Sequence, residues 1–336
     1  AAFGGLNMTG LLEIREKLRN FYGRYEVYVT AGVKFLLGVV TFFLINIQLG
    51  YREQLNQPAV ALLLALACSF LPINIMVVAA CALILLHLSA LSLEVCAIGL
   101  CLMILLFFLY GRFAPKHGYA AILTPVLCFF RIPQVMPVSE GLLHGPSAYL
   151  SVVSGAMVYF YVEGVKTNIV NFTSVEEGEG TAKFTAALKM LVGNKEMYLF
   201  IATFLVTSLV VYAIRRQSVN FAWRIGLVVG NLVQMVILLS GYVLLGMPER
   251  ILWVLVGTAI SVAVCLILEF FFYNLDYSRI ERVQFEDDEY YYFVKAVPKV
   301  YLARKDKRVK RITPKKTTVS RRQLEEDFDI DRNLLH

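Results

Sequence analysis

Apolar residues fill long blocks of this sequence, and polar residues collect between the blocks. A helix needs about 20 mainly apolar residues to cross a bilayer. Two of the blocks, 58–72 and 119–138, contain prolines and fall short of a clean span. The candidate transmembrane segments are 31–49, 58–72, 75–91, 93–111, 119–138, 147–163, 197–214, 222–246 and 250–274. The pattern predicts an all-α polytopic membrane protein with eight or nine transmembrane helices within residues 31–275.

The regions on either side of these blocks have different patterns. Residues 10–28 repeat apolar side chains at helical spacing among basic ones. This predicts an N-terminal amphipathic helix within 1–30 that lies in the membrane interface, or that packs on the protein's own cytoplasmic face. Valine- and tyrosine-rich runs flank "EDDE" after residue 275, and they predict a small cytoplasmic β-hairpin within 276–303. A tail at 304–336 is first basic and then acidic.

Composition supports the membrane assignment and argues against an enzyme. The chain is 58% hydrophobic and 17% charged, whereas soluble domains are about 45–50% apolar and about 25% charged. The sequence contains no HExxH, GxSxG, Walker or GxGxxG motif. All six cysteines lie inside apolar runs, without zinc-type spacing. We therefore predict no catalytic residue, no metal ligand and no cofactor.

Basic residues predict the orientation, because cytoplasmic loops are enriched in Lys and Arg. The N-terminal segment, 111–118, 215–224 and the tail are basic, whereas 164–196 contains "SVEEGEG". These charges predict a multi-pass plasma-membrane protein with both termini in the cytoplasm. Only one crossing then fits between residues 118 and 164, although two apolar segments compete for it. A re-entrant hairpin at 119–146, broken by Pro125, Pro133 and Pro137, resolves the conflict. Nine plain crossings with one misread loop are the alternative.

A weak internal repeat relates 61–83 to 121–143 at an offset of 60 residues. Cys68 aligns with Cys128, and Asn74 aligns with Gln134. Broken helices at corresponding positions of two repeats are typical of transporter binding sites. Chance similarity between apolar segments is the alternative.

Ionisable residues at membrane depth are costly and often functional. Arg131, Glu140 and His144, together with Gln134, form a candidate midplane polar site within the predicted hairpin. We expect Arg131 to pair with Glu140, which would lower the cost of burying both charges. Such a cluster fits an anion path, a proton relay, a lipid-headgroup pocket or a structural ion pair.

Segment 222–246 carries a predicted helix-packing seam. Gly226 and Gly230 form a GxxxG step, which lets helices approach closely. Asn231 and Gln234 lie about one turn apart, and we expect them to hydrogen-bond across a helix pair. The seam is predicted within the chain or between protomers, and a substrate-binding role for the two amides is the alternative.

The tail is a predicted lipid- or partner-binding segment. Residues 304–322 carry ten Lys or Arg and one acid, a net charge of +9. Attraction to an anionic leaflet is worth about 1 kcal/mol for each basic residue near the surface. Anionic lipid headgroups are favoured over nucleic acid, and a purely topogenic segment is the alternative. The candidate contacts are Arg304, Lys305, Lys307, Arg308, Lys310 and Arg311.

Two stretches resemble known families. Residues 136–162, "MPVSEGLLHGPSAYLSVVSGAMVYFYV", resemble part of the substrate-binding subunits of energy-coupling-factor transporters and of LytS-type membrane domains. Residues 281–299, "ERVQFEDDEYYYFVKAVPK", resemble the tail of uncharacterised membrane proteins of Firmicutes. The second resemblance implies a Gram-positive plasma membrane and no particular activity.

Two functions therefore remain open. The favoured hypothesis is an integral membrane subunit that anchors or assembles a homo- or hetero-oligomeric complex and recruits a cytoplasmic protein through its tail. The alternative is a permease or channel-like transporter with a polar site at the 119–146 hairpin. The first predicts a dry interior, and the second predicts a water-reachable cavity at Arg131.

Overall fold

The computed structural model describes residues 2–173, 180–217, 219, 221–272, 281–286 and 291–296. Almost all of these residues are helical. The helices are α1 Ala2–Gln48, α2 Pro58–Phe70, α3 Ile73–Leu91, α4 Leu93–Phe113, α5 Gly118–Phe129, α6 Val135–Leu143, α7 Ala148–Thr167, α8 Ile169–Thr173, α9 Gly180–Val192, α10 Lys195–Arg215, α11 Ala222–Leu245 and α12 Ile251–Phe272, with a 3-10 turn at Pro248–Arg250.

The chain is an α-helical, multi-pass membrane protein. Seven helical stretches among the described residues are long and apolar enough to cross a membrane. Two further apolar helices, α2 and α5, are shorter. The seven stretches are Ile14–Gln48, Ile73–Leu91, Leu93–Phe113, Ala148–Thr167, Thr181–Arg215, Ala222–Leu245 and Pro248–Phe272.

The predicted N-terminal helix and the first apolar segment form one continuous helix, α1. Its backbone kinks at Tyr25, where φ is −120° and ψ is 27°. The segment 164–196, which joins two apolar segments, contains two helices, α8 and α9. Ala187 of α9 is buried in the same core cluster as Val95 and Tyr161. An apolar face of α9 therefore packs on the bundle.

Polar contacts between the termini of neighbouring helices identify the two ends of the bundle. At one end, Asn74 donates to the Pro115 carbonyl at 3.1 Å, and Arg224 pairs with Glu269 at 2.7 Å. At the other end, His87 bonds Asn46 at 3.0 Å, and Lys166 donates to Gln48 at 2.6 Å. We call these the Asn74 end and the His87 end. The directions of α1–α4, α7 and α10–α12 alternate between them.

The tail forms a unit of its own, within which the structure describes two strands. β1 Glu281–Glu286 pairs antiparallel with β2 Tyr291–Ala296, so that Arg282 lies opposite Lys295. The basic and acidic tail predicted at 304–336 lies outside the described residues.

Candidate functional site in the α5–α6 hairpin

Helices α5 and α6 form an antiparallel hairpin that begins and ends at the Asn74 end of the bundle. His117, just before α5, and His144, just after α6, meet with ring centroids 4.7 Å apart. At about 1.5 Å per residue, the two arms are roughly 18 and 14 Å long, short of a bilayer core of about 30 Å. We call His117 and His144 the base of the hairpin and residues 130–134 its tip.

The break at the tip is made by two residues. Arg131 has φ 59°, a left-handed conformation that turns the chain, and Pro133 follows within the turn. The prediction that all three prolines break the segment was wrong for two of them. Pro125 lies inside α5, and Pro137 lies in the first turn of α6, where a missing N–H costs no helical bond.

Glycine in α7 accommodates the proline inside α5. Proline at position 125 cannot donate to the Ala121 carbonyl, which leaves that oxygen without its helical bond. A Cβ on Gly155 would lie 2.6 Å from this oxygen and 2.8 Å from Cδ of Pro125. The absence of a side chain at Gly155 therefore allows α7 to pack directly on the irregular stretch of α5.

Neighbouring helices donate hydrogen bonds to three backbone carbonyls of the hairpin. Ser261 of α12 donates to the Gln134 carbonyl at 3.1 Å, and Ser208 of α10 donates to the Pro137 carbonyl at 3.1 Å. Arg215, at the end of α10, donates to the Leu142 carbonyl. The hairpin is therefore fixed along its length by α10 and α12, rather than by its own short helices alone.

A small polar cavity of about 40 Å³ lies at the tip. This volume is sufficient for water when polar groups line it. The guanidinium of Arg131 lies 5.0 Å from the ring centroid of Trp253, a cation–π contact worth about 0.5–2 kcal/mol. The lining residues are Cys128, Arg131, Pro133, Gln134, Tyr159, Phe160, Glu196, Phe200, Tyr242, Arg250, Trp253 and Val254.

The cavity carries one acidic and two basic side chains. Glu196 accepts a hydrogen bond from Tyr242 Oη at 2.9 Å and pairs with Arg250 at 3.5 Å. In the described part of the chain, no carboxylate pairs with Arg131 within 4 Å. The lining therefore has a net charge of +1 from Arg131, Arg250 and Glu196. Sequence reasoning missed Glu196 and Arg250, which come from helix ends far from the hairpin in sequence.

Gln134 brings a buried amide to the tip. Its side chain is 3% exposed, and a Cβ on Gly257 would lie 2.2 Å from its Oε1. Among the described residues, that Oε1 has no hydrogen-bond partner. An unsatisfied buried polar atom costs about 1–3 kcal/mol, and such atoms often have a functional explanation.

The predicted cluster of Arg131, Glu140 and His144 is divided between the two ends of the hairpin. Arg131 is at the tip, whereas Glu140 and His144 are at the base. Glu140 Oε2 lies 2.7 Å from His144 Nδ1. The expected Arg131–Glu140 pair was therefore wrong, because α6 separates the two residues along its length.

The base instead brings together His117, Glu140 and His144. One ligand atom from each lies within 4.8 Å of the other two. The hydrogen bond with Glu140 raises the pKa of His144, whereas burial and the nearby His144 lower the pKa of His117. His117 is 23 residues from Glu140 in sequence, so no spacing motif could have revealed this group.

The predicted packing seam lies on the buried side of α11. A Cβ on Gly230 would lie 2.2 Å from Val211 of α10 and 3.8 Å from Val138 of α6, and Gly226 also faces Val211. The expected bond across a helix pair was wrong for Asn231, which donates to Leu227 of its own helix at 2.9 Å. Within the described residues, neither polar atom of Gln234 has a partner.

The six basic tail residues predicted to bind headgroups lie outside the described residues, and that role stays a prediction. Comparisons with protein-family models, curated proteins and solved structures found no match to this chain. The two family resemblances therefore also stay predictions.

Proposed function

We propose that this protein is a permease or channel-like membrane subunit in which the α5–α6 hairpin is re-entrant and forms the polar centre of a pathway for a small anionic solute. The observation that carries this proposal is the tip cavity, which is lined by Arg131, an exposed residue with a left-handed backbone. Non-helical backbone at membrane depth is tolerated where it is buried in protein or lines a wet cavity.

The charge of the cavity supports an anionic solute. Glu196 is already engaged by Tyr242 and Arg250, which leaves the guanidinium of Arg131 over Trp253 as an available cation. Arginine binds carboxylates and phosphates through two parallel N–H donors. Gln134, with an unpartnered Oε1, adds a polar group near the same position.

The proposed topology has eight crossings and one hairpin, with both termini in the cytoplasm of a plasma membrane. It makes the Asn74 end cytoplasmic, because the basic stretches 111–118 and 215–224 belong to that end. Helix α2 would then be a short crossing of 13 residues. The hairpin would enter from the cytoplasmic side, and its tip would approach the His87 end.

Anchoring a complex through the tail remains the rival proposal. It requires a partner for 276–336 and a packed interior without access for water. Within the described residues, polar atoms of Gln134, Asn231 and Gln234 have no hydrogen-bond partner. This favours transport over anchoring, since a purely structural bundle gains nothing from burying them.

Thiol accessibility tests the proposed pathway. In a background with the six native cysteines replaced, Ile132→Cys at the tip and Leu105→Cys on the exposed face of α4 are compared with a charged, membrane-impermeant thiol reagent. We expect labelling of residue 132 from water and none of residue 105, which is 58% exposed and would face lipid. Small anions that bind in the cavity should slow labelling of residue 132, and Arg131→Gln should weaken this protection.

Labelling of Gly145→Cys determines the side of the hairpin base. Inverted vesicles should label it and intact cells should not. Labelling of residue 145 from the outside would refute the proposed orientation. Absence of labelling at residue 132 from both sides would refute the pathway and favour the anchoring role.

A further inference from the structure

The base of the hairpin carries a group of side chains that neither the proposed pathway nor the sequence motifs explain. His117, Glu140 and His144 converge from two helix ends, and one ligand atom of each lies within 4.8 Å of the others. We propose that these three residues bind a divalent transition-metal ion of the Zn²⁺ class. This inference does not rest on the proposed transport function.

The donor set suits this class of ion. Two imidazoles and one carboxylate are a common protein ligand set for zinc, with a fourth position left for water. Ligand atoms around a tetrahedral zinc are roughly 3.3 Å apart. The present separations, from 2.7 Å for Glu140–His144 up to 4.8 Å, therefore require only side-chain rotations. A bound ion would replace the proton that Glu140 and His144 share.

The backbone on both sides of the group is held in position. A Cβ on Gly118 would lie 2.7 Å from Ile73 and 2.8 Å from Asn74, so the start of α5 packs closely on α3. The Arg215 bond to the Leu142 carbonyl fixes the end of α6. Because Glu140 and His144 are four residues apart at that end, both face His117 from one side.

Exposure leaves one open approach to the group. The side chain of His144 is 44% exposed, whereas that of Glu140 is 12% exposed. An ion and its water ligand can therefore enter from the side of His144, while the protein closes the other side. The bound ion would join the two arms of the hairpin at the base.

Two nearby cations oppose the binding of a dication. Arg215 acts electrostatically on His144, and Lys116 acts on His117. They reduce affinity without occupying a ligand position. Replacing Lys116 should therefore tighten binding, and salt should weaken that effect.

Metal binding to the full chain, purified in detergent with a histidine-free tag, tests the proposal. Zn²⁺ is titrated against a chromophoric chelator, and Co²⁺ is used for its visible spectrum. We expect one equivalent per chain, and roughly tenfold or greater weakening in each of His117→Gln, Glu140→Gln and His144→Gln. His336→Gln removes a histidine outside the group and should leave affinity unchanged, and Lys116→Gln should tighten binding.

Folding of each variant is checked by helicity and size-exclusion profile, and Zn²⁺ should raise the unfolding temperature of the unmodified chain but not of the three variants. Substoichiometric binding, or equal affinity in the folded variants, would overturn the proposal. Binding that is lost in His336→Gln would assign the ion to another site and would overturn it as well.

Discussion

The two proline-interrupted segments that the predicted repeat compares have different surroundings. Helix α2 and the start of α3 lie at the surface of the bundle, where Leu63 is 66% exposed and Phe70 is 77% exposed. Helices α5 and α6 are enclosed by α7, α10 and α12, and seven of the nine residues of α6 are buried. A similar pattern therefore serves a lipid-facing turn in one place and a protein-enclosed hairpin in the other.

Positions paired by the predicted repeat differ in their hydrogen bonding. Asn74 of the first segment donates to Pro115 and accepts from Tyr110, so its polar atoms are satisfied. Its counterpart Gln134 has an unpartnered Oε1 at a cavity. Sixty residues before Glu140 and His144 stand Ala80 and Ile84, which are buried in an apolar core.

The largest expected effect comes from closing the space between α5 and α7. Gly155→Leu would force a side chain against the Ala121 carbonyl and the Pro125 ring. We expect a loss of about 3 kcal/mol in the free energy of unfolding, or failure to fold, because backbone cannot move aside cheaply. Gly32→Leu is the control, since nothing lies within 4 Å of its added Cβ. Equal unfolding temperatures for the two variants would show that the hairpin is not tightly enclosed.

Substitution of the two amides, Asn74 and Gln134, should affect the free energy of unfolding differently. Asn74→Leu removes two hydrogen bonds and should destabilise by about 1–2 kcal/mol. Gln134→Met removes an unsatisfied buried atom and should be neutral or stabilising by up to about 1 kcal/mol. Chemical denaturation in detergent measures both. Destabilisation of similar size in the two variants would indicate that Gln134 is structural.

The base of the hairpin should make stability depend on pH. The bond with Glu140 raises the pKa of His144 above its usual 6.5. Because the pKa is higher in the folded than in the unfolded state, protonation of His144 stabilises the fold. This stabilisation is fully present below the unfolded pKa and is lost as pH rises through the folded pKa. With chelator present, the unfolding-temperature difference between the unmodified chain and His144→Gln should therefore be larger at pH 6 than at pH 9.

His117 supplies a comparison of opposite sign. Burial lowers the pKa of His117, so the unfolded chain binds a proton at this residue more readily than the folded chain. The free energy of unfolding therefore decreases as pH falls below 6.5. His117→Gln removes this effect and should improve stability relative to the unmodified chain at low pH. A pH-independent difference in both variants would mean that neither histidine titrates in this group.

The smallest expected effect is the difference in stability between losing a hydrogen bond across two helices and losing one within a single helix. Ser208→Ala loses a bond to the Pro137 carbonyl and should cost about 0.6 kcal/mol, the average for such bonds in membranes. Ser69→Ala loses a bond to Leu66 in its own helix α2 and should cost close to nothing. Careful equilibrium unfolding of both is required. Reversal of this order would contradict the view that α10 helps to hold the hairpin.

The sequence alone determined the α-helical membrane class and the presence of long apolar helices. Those properties depend on the length of apolar blocks, which is local. It also predicted a break within 119–146, but of the three prolines assigned to it only Pro133 lies in the turn, which Arg131 shares.

Only the tertiary structure decided which broken segment is enclosed and which residues meet. Lipid-facing and protein-facing surfaces within a bilayer are both apolar, so composition does not distinguish α2 from α5. The Arg131–Glu140 pair was wrong because residues nine apart on a helical arm lie at its two ends. His117 joins Glu140 and His144, and Arg131 joins Glu196 and Arg250, because helices distant in sequence bring their ends together, and no local pattern encodes that contact.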